Sequence, residues 1–151
     1  ARISGYKGLA GGQSLDLLFE KKNVSVDQII MMHEQKTARL FEFCMIAPLI
    51  LCNSKASKKM EHLRTYGKNF GLIFQATDDL LDSVGKKKTL GKNVQKDLKK
   101  NKGNIMKYKS KDDVKRYCNK LATAATYKPQ MFKEKNSFFR SLIFHIIDRV
   151  S

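Results

Sequence analysis

The sequence predicts an all-α fold, and three observations carry that expectation. Apolar residues recur at helical spacing along most of the 151-residue chain. No hairpin dipeptide is flanked by alternating apolar residues, so strand signals are weak throughout. Helix-starting residues stand at the head of several periodic segments.

The segments follow in order. Residues 5–20 carry Leu9, Leu15, Leu18 and Phe19. Residues 26–52 form a second helix, with Ser25 or Asp27 available as its N-cap. A third helix, residues 57–84, is most apolar in its second half. Gly85 then opens a Lys- and Gly-rich loop to Gly103, broken by a short turn near residues 94–99. Ser110 with Asp113 three residues on is a capping-box-like start for a helix to about Tyr127. Pro129 suits the first turn of a last helix ending near Arg149. No repeat or low-complexity tract appears, and one domain accounts for the chain.

Composition narrows the function classes. With 42% hydrophobic and 29% charged residues the chain reads as a globular protein. Thirty Lys+Arg against 14 Asp+Glu give a net charge of +16, a field that attracts polyanions. The excess is almost all lysine and widely spread, which describes solvated faces; without an arginine-rich recognition helix no nucleic-acid partner is expected. Cys44, Cys52 and Cys118 lack CxxC spacing and lie in apolar or helical stretches, so they read as free, buried thiols of a reducing compartment. The three histidines are scattered and form no zinc pattern. The longest apolar run, residues 41–52, contains Glu42 and Pro48 and is too short to span a bilayer. A cytoplasmic protein with no transmembrane segment is the expectation. The chain starts at Ala1 in what reads as a helix end, the mark of a partial chain.

Residues 70–85, FGLIFQATDDLLDSVG, carry the chemistry. On a helix, Phe70, Phe74, Thr77, Leu81 and Val84 fall along one side. Gly71, Gln75, Asp78 and Asp82, spaced four, three and four apart, form another stripe, and Asp79 is offset by about 100°. Two carboxylates one turn apart repel by ~0.2–0.5 kcal/mol even in water. Beside an apolar core the cost rises unless a cation is present, and Mg²⁺ takes one or two carboxylates together with substrate phosphates. A surface helix with a solvated acidic end is the plain alternative. Lys92 and Lys102, next to Gly91 and Gly103, are candidate phosphate cations opposite the acids.

These residues resemble the trans-isoprenyl diphosphate synthases, the polyprenyl synthetase family. Its FQxxDDxxD signature stands as Phe74, Gln75, Asp78, Asp79 and Asp82, and its LGK element as Leu90-Gly91-Lys92. Upstream, GGQxLDL matches Gly11-Gly12-Gln13 through Leu15-Asp16-Leu17, and a histidine-preceded KT pair matches His33 with Lys36-Thr37. The resemblance implies the C-terminal part of the isoprenoid synthase helical bundle, residues 1–151 being the C-terminal portion of one domain. The first aspartate-rich motif and the isopentenyl diphosphate arginines would then lie in an N-terminal half absent here.

The implied function is a Mg²⁺-dependent (Mn²⁺ as a substitute) prenyltransferase of farnesyl or geranylgeranyl diphosphate synthase type. It condenses an allylic diphosphate with isopentenyl diphosphate, works as a homodimer when complete, and is inactive as this piece. Asp78 would bind the metal directly, with Asp79 and Asp82 acting through metal-bound water or a shared ion. Lys36, Lys92 and Lys102 would grip the allylic diphosphate, and Thr37 and Gln75 would lie near the reacting carbons. One departure matters: where the family has GK followed by hydroxyl residues, this chain reads Asn101-Lys102-Gly103-Asn104. That leaves a second reading, a non-catalytic or regulatory subunit of a heteromeric synthase.

Overall fold

A computed structural model describes residues 2–20, 22–54, 57–89, 103–126 and 136–150, with backbone alone for 85–89 and 136. Among these residues the fold is all-α, as the sequence predicts, and no strand occurs.

The first helix, α1, is Leu9–Phe19, shorter than predicted. Residues 2–8 form turns instead, closed by Gly8 N–H to the Gly5 carbonyl and Leu9 N–H to the Ile3 carbonyl, each 2.9 Å. Gly5 and Gly8 explain the late start, since glycine loses the most backbone freedom in a helix.

The single helix predicted for residues 26–52 is a composite. α2 is Val26–His33, a π-helical turn covers Glu34–Ala38, and α3 is Arg39–Leu51. Ser25, not Asp27, caps α2. Its Oγ accepts the Gln28 N–H at 3.2 Å while Gln28 Oε1 accepts the Ser25 N–H at 2.8 Å, a reciprocal box worth about 1 kcal/mol. α3 ends in a Schellman motif: Ser54 N–H reaches the Leu49 carbonyl at 2.9 Å and Asn53 N–H the Ile50 carbonyl at 3.1 Å. Asn53 there has φ 48°, the left-handed value that asparagine tolerates.

α4, Ser57–Thr89, is 33 residues long and spans roughly 50 Å. It continues through Gly85, where the sequence predicts a loop. One glycine costs about 1 kcal/mol against alanine, too little to stop a long helix already propagating. The turn expected at residues 94–99 lies outside the described residues, as does Pro129. A 3₁₀ turn, Ile105–Lys107, precedes α5, Lys111–Thr126, and α6 is Asn136–Asp148. Ser110 and Asp113 cap α5 as predicted, and these bonds, with Arg116 beyond them, hold the Asp113 carboxyl below its ordinary value.

α4 is the central post, packed against α3 and α5, with α6 closing over α4 and α5. Ile73, Ala76, Tyr66 and Phe70 of α4 meet Ile29 and Met32 of α2, Val114, Cys118 and Ala122 of α5, and Ile143, Ile146 and Ile147 of α6. Tyr66 donates to the Phe139 carbonyl at 2.9 Å, tying α4 to α6, and burial raises its phenol well above the ordinary value. Of the thiols expected to be buried, only Cys118 is; burial pushes it up to about 12. Cys44 and Cys52 are exposed. α3 is apolar on nearly every face, so its pattern alone does not fix which side turns toward α4. No described helix is long and apolar enough to cross a membrane.

Candidate active site

The site is organised by two glycines that bring backbones together around the π turn. A Cβ on Gly12 of α1 would lie 2.2 Å from the Lys36 nitrogen, and one on Gly71 of α4 would lie 2.5 Å from the Ala38 Cα. Neither position admits a larger side chain at this spacing. The turn bearing Lys36 and Thr37 is thereby pressed between α1 and α4. A π turn inserts an extra residue per turn and re-aims its side chains, a feature found often at functional sites.

Asp16, four residues beyond Gly12 and on the same face of α1, meets Lys36 Nζ at 2.6 Å. Their side chains are 13% and 30% exposed, so the pair is half-buried and loses less to solvent screening than a surface pair. Flanking it, Glu34 contacts Arg39 at 2.9 Å and Lys68 at 2.8 Å, while Glu42 contacts Arg39 at 3.0 Å and Arg64 at 2.7 Å. This network braces the π turn and α3 against α4.

Thr37 Oγ1 donates to Gln75 Oε1 at 2.7 Å, and Gln75 Nε2 donates to Asp79 Oδ1 at 3.1 Å. Asp79 Oδ2 accepts the Ile105 N–H at 2.8 Å, with His33 Nε2 3.4 Å away. The structure thus joins the predicted Thr37, Gln75 and Asp79 in one chain of hydrogen bonds. It also parts Asp79 from the other two acids: Asp79 is buried with both oxygens engaged, Asp78 is half-exposed and Asp82 exposed.

Burial raises the Asp78 carboxyl above its ordinary value; Arg149 opposes this, and Asp82 and Asp79 add to it. Arg149 lies 3.5 Å from Asp78 Oδ1 and its guanidinium 5.9 Å from the Phe74 ring centroid. Two accessible carboxylates one turn apart suit Mg²⁺, which binds few protein oxygens and keeps water or phosphate ligands. No group of three or more His, Cys, Asp or Glu side chains assembles among the described residues. An ion on Asp78 and Asp82 would therefore complete its shell with water or a phosphorylated ligand.

Lys92 and Lys102 lie outside the described residues. Asn104, where the resemblance expects a hydroxyl residue, accepts the Met106 N–H at 2.7 Å and caps the 3₁₀ turn, the service a serine or threonine gives. Asp16, Arg149 and His33, which is buried beside Asp79, are partners the sequence reading did not assign. The Gly12–Asp16 spacing was the available signal for Asp16 and the histidine-preceded KT pair for His33; nothing local signals Arg149.

Residues 4–139 match the polyprenyl synthetase family. The chain is 30% identical over 146 residues to a farnesyl diphosphate synthase of Micrococcus luteus, covering 97% of this chain and 50% of that protein. It is 34% identical over 146 residues to a dimethylallyltranstransferase of Fischerella ambigua, covering 96% and 42%. Among solved structures, a geranyltransferase of Legionella pneumophila shares the fold with a TM-score of 0.76 and 24% identity, over 99% of this chain and 47% of that one. A geranyltransferase of Helicobacter pylori complexed with magnesium and isoprenyl diphosphate does so with a TM-score of 0.72 and 22% identity, over 99% and 49%. The chain spans half or less of the length of the relatives it matches.

Proposed function

Because the chain belongs to the polyprenyl synthetase family, we propose that residues 1–151 are the C-terminal portion of one such domain, contributing the allylic-diphosphate side of a trans-prenyltransferase. The reaction joins an allylic prenyl diphosphate to isopentenyl diphosphate and releases inorganic diphosphate. The observation that carries this reading is the pairing of two accessible acids, Asp78 and Asp82, with a hydrogen-bonded Thr37–Gln75 pair.

Asp78 and Asp82 would hold Mg²⁺, or Mn²⁺ in its place, as the relative complexed with magnesium suggests. Bound there, the ion offsets charge on the departing diphosphate. Lys36 contributes a second cation, released from Asp16 or shared with it as the diphosphate arrives. Lys92 and Lys102 are proposed to grip the same group. The Gln75 carbonyl, oriented by Thr37 and Asp79, offers a negative dipole end to an allylic cation. The surrounding apolar side chains exclude water that would quench it. The proton lost after carbon–carbon bond formation passes to the released diphosphate, so no histidine or nucleophilic side chain is required. Homodimer formation by the complete protein belongs to the same proposal. Asn104 keeps the local capping bond that a serine or threonine there would give, while the hydroxyl lost at Gly103 has no replacement. Retention of Asp78, Asp82 and Lys36 favours the enzyme over a regulatory subunit.

The test is incorporation of labelled isopentenyl diphosphate, with geranyl diphosphate and Mg²⁺, by the complete protein and by this chain alone. The complete protein should form a chain-extended, acid-labile product that EDTA abolishes, and the chain alone should form none. Absence of product from the complete protein, or product insensitive to EDTA, would overturn the proposal.

A further inference from the structure

Asp79 stands one residue from Asp78, yet its surroundings describe a different task. Its side chain is buried, and both oxygens are occupied by protein donors: Oδ1 by Gln75 Nε2 at 3.1 Å, Oδ2 by the Ile105 N–H at 2.8 Å. His33 Nε2 lies over Oδ2 at 3.4 Å without a hydrogen-bond partner. The Asp79 carbonyl accepts from Asn104 Nδ2 at 3.3 Å. Segment 103–107 is thus tied to α4 through both the side chain and the carbonyl of one residue. From the opposite side Gly103 is seated on α2, where an added Cβ would lie 2.8 Å from Met32 Cε, and Ile105 is fully buried.

The same carboxylate fixes a choice at Gln75. An amide has a donor end and an acceptor end, and a threonine hydroxyl accommodates either. Asp79 Oδ1 takes the Nε2 end at 3.1 Å, which leaves Oε1 to face Thr37 at 2.7 Å. Without that constraint the two amide orientations become interchangeable.

We infer that Asp79 is a positioning residue, not a metal ligand: it sets the orientation of the Gln75 amide and anchors the segment around Ile105 to α4. Its relevance to catalysis rests on the function proposed above; the anchoring itself does not.

Residue-resolved amide exchange on the ¹⁵N-labelled complete protein separates these roles, comparing wild type with Asp79→Ala, Asp79→Asn and Asp78→Asn. Asp79→Ala should speed exchange at Ile105 by about 10- to 100-fold, the loss expected when a buried N–H is left without its acceptor, with Leu72 and Ile73 unaffected. In Asp79→Asn the amide oxygen still accepts the Ile105 N–H, so protection should stay within about threefold of wild type. Its new NH₂ group turns Gln75 over, and the Gln75 side-chain NH₂ resonances should shift. Asp78→Asn should leave both signals in place. Unchanged Ile105 protection in Asp79→Ala, or release of Ile105 by Asp78→Asn, would overturn the inference. If Asp79→Ala does not fold, Asp79→Asn decides: lost Ile105 protection or unmoved Gln75 resonances would sink it. None of these signals depends on turnover, so failure here leaves the prenyltransfer reading standing, and failure of the turnover assay leaves the anchor standing.

Discussion

Asp78→Asn should lower turnover of the complete enzyme by about 10²- to 10⁴-fold, as removal of several kcal/mol of charge stabilisation would, while the fold survives. The same substitution should stabilise the protein at neutral pH. Burial raises the Asp78 carboxyl above its unfolded value, with Arg149 countering and Asp82 and Asp79 reinforcing. A raised carboxyl binds its proton more tightly in the folded state, so its ionisation opposes folding. That opposition is complete above the folded pKa and fades as pH falls toward the ordinary carboxylate range. Asparagine carries no charge to desolvate, so the variant should melt higher than wild type near pH 7. The difference should vanish in acid, where wild-type Asp78 is protonated. Calorimetry across pH checks the stability half, and labelled isopentenyl diphosphate the catalytic half. Wild-type turnover, or a variant less stable at pH 7 than in acid relative to wild type, would contradict the account.

Gly71→Ala should destabilise the chain far more than its single methyl suggests. The new Cβ would stand 2.5 Å from the Ala38 Cα, a backbone atom that moves only if the π turn moves. Overpacking of this kind costs about 1–3 kcal/mol or more, and a protein of this size loses ~2–4 °C per kcal/mol. A fall in melting temperature of roughly 5–10 °C is expected. Gly12→Ala meets the Lys36 nitrogen at 2.2 Å and should destabilise similarly, with an added catalytic loss if Lys36 meets the diphosphate as proposed. Gly103→Ala is the control: its closest contact is the flexible end of Met32, so its cost should be smaller. A Gly71→Ala protein melting within 1–2 °C of wild type would show that the close helix contact does not brace the π turn.

Much of the fold was legible because helical period and caps are local signals. Ser25, one of two candidate caps, and the Ser110–Asp113 pair marked the starts of α2 and α5 as they occur. The π turn was not legible. A one-residue insertion within Glu34–Ala38 leaves the apolar pattern helical, so nothing in the spacing of residues marks it. Nor could Gly85 be known to lie within α4, since one glycine weighs little against a long helix. Exposure of Cys44 and Cys52 depended on which face of a nearly all-apolar helix packs inward.

At the site, the stripe of Gln75, Asp78 and Asp82 could be drawn from helical geometry alone, and so could the offset of Asp79. What that offset meant required the Ile105 amide, 26 residues farther along. Lys92 and Lys102 were the cations the sequence offered opposite the acids, whereas the end of α6 brings Arg149 to 3.5 Å from Asp78. Such pairings are set by how helices stack, and nothing in the residues around Asp78 encodes them.

Paramagnetic broadening by Mn²⁺, read amide by amide on the ¹⁵N-labelled chain with inorganic diphosphate present, tests most directly whether α4 offers an ion-binding acid pair. Broadening should centre on residues 77–83 and be lost when Asp78 and Asp82 are both replaced by asparagine. Broadening centred instead on exposed Asp112 of α5, or unchanged by that double replacement, would contradict that acid pair as the ion site.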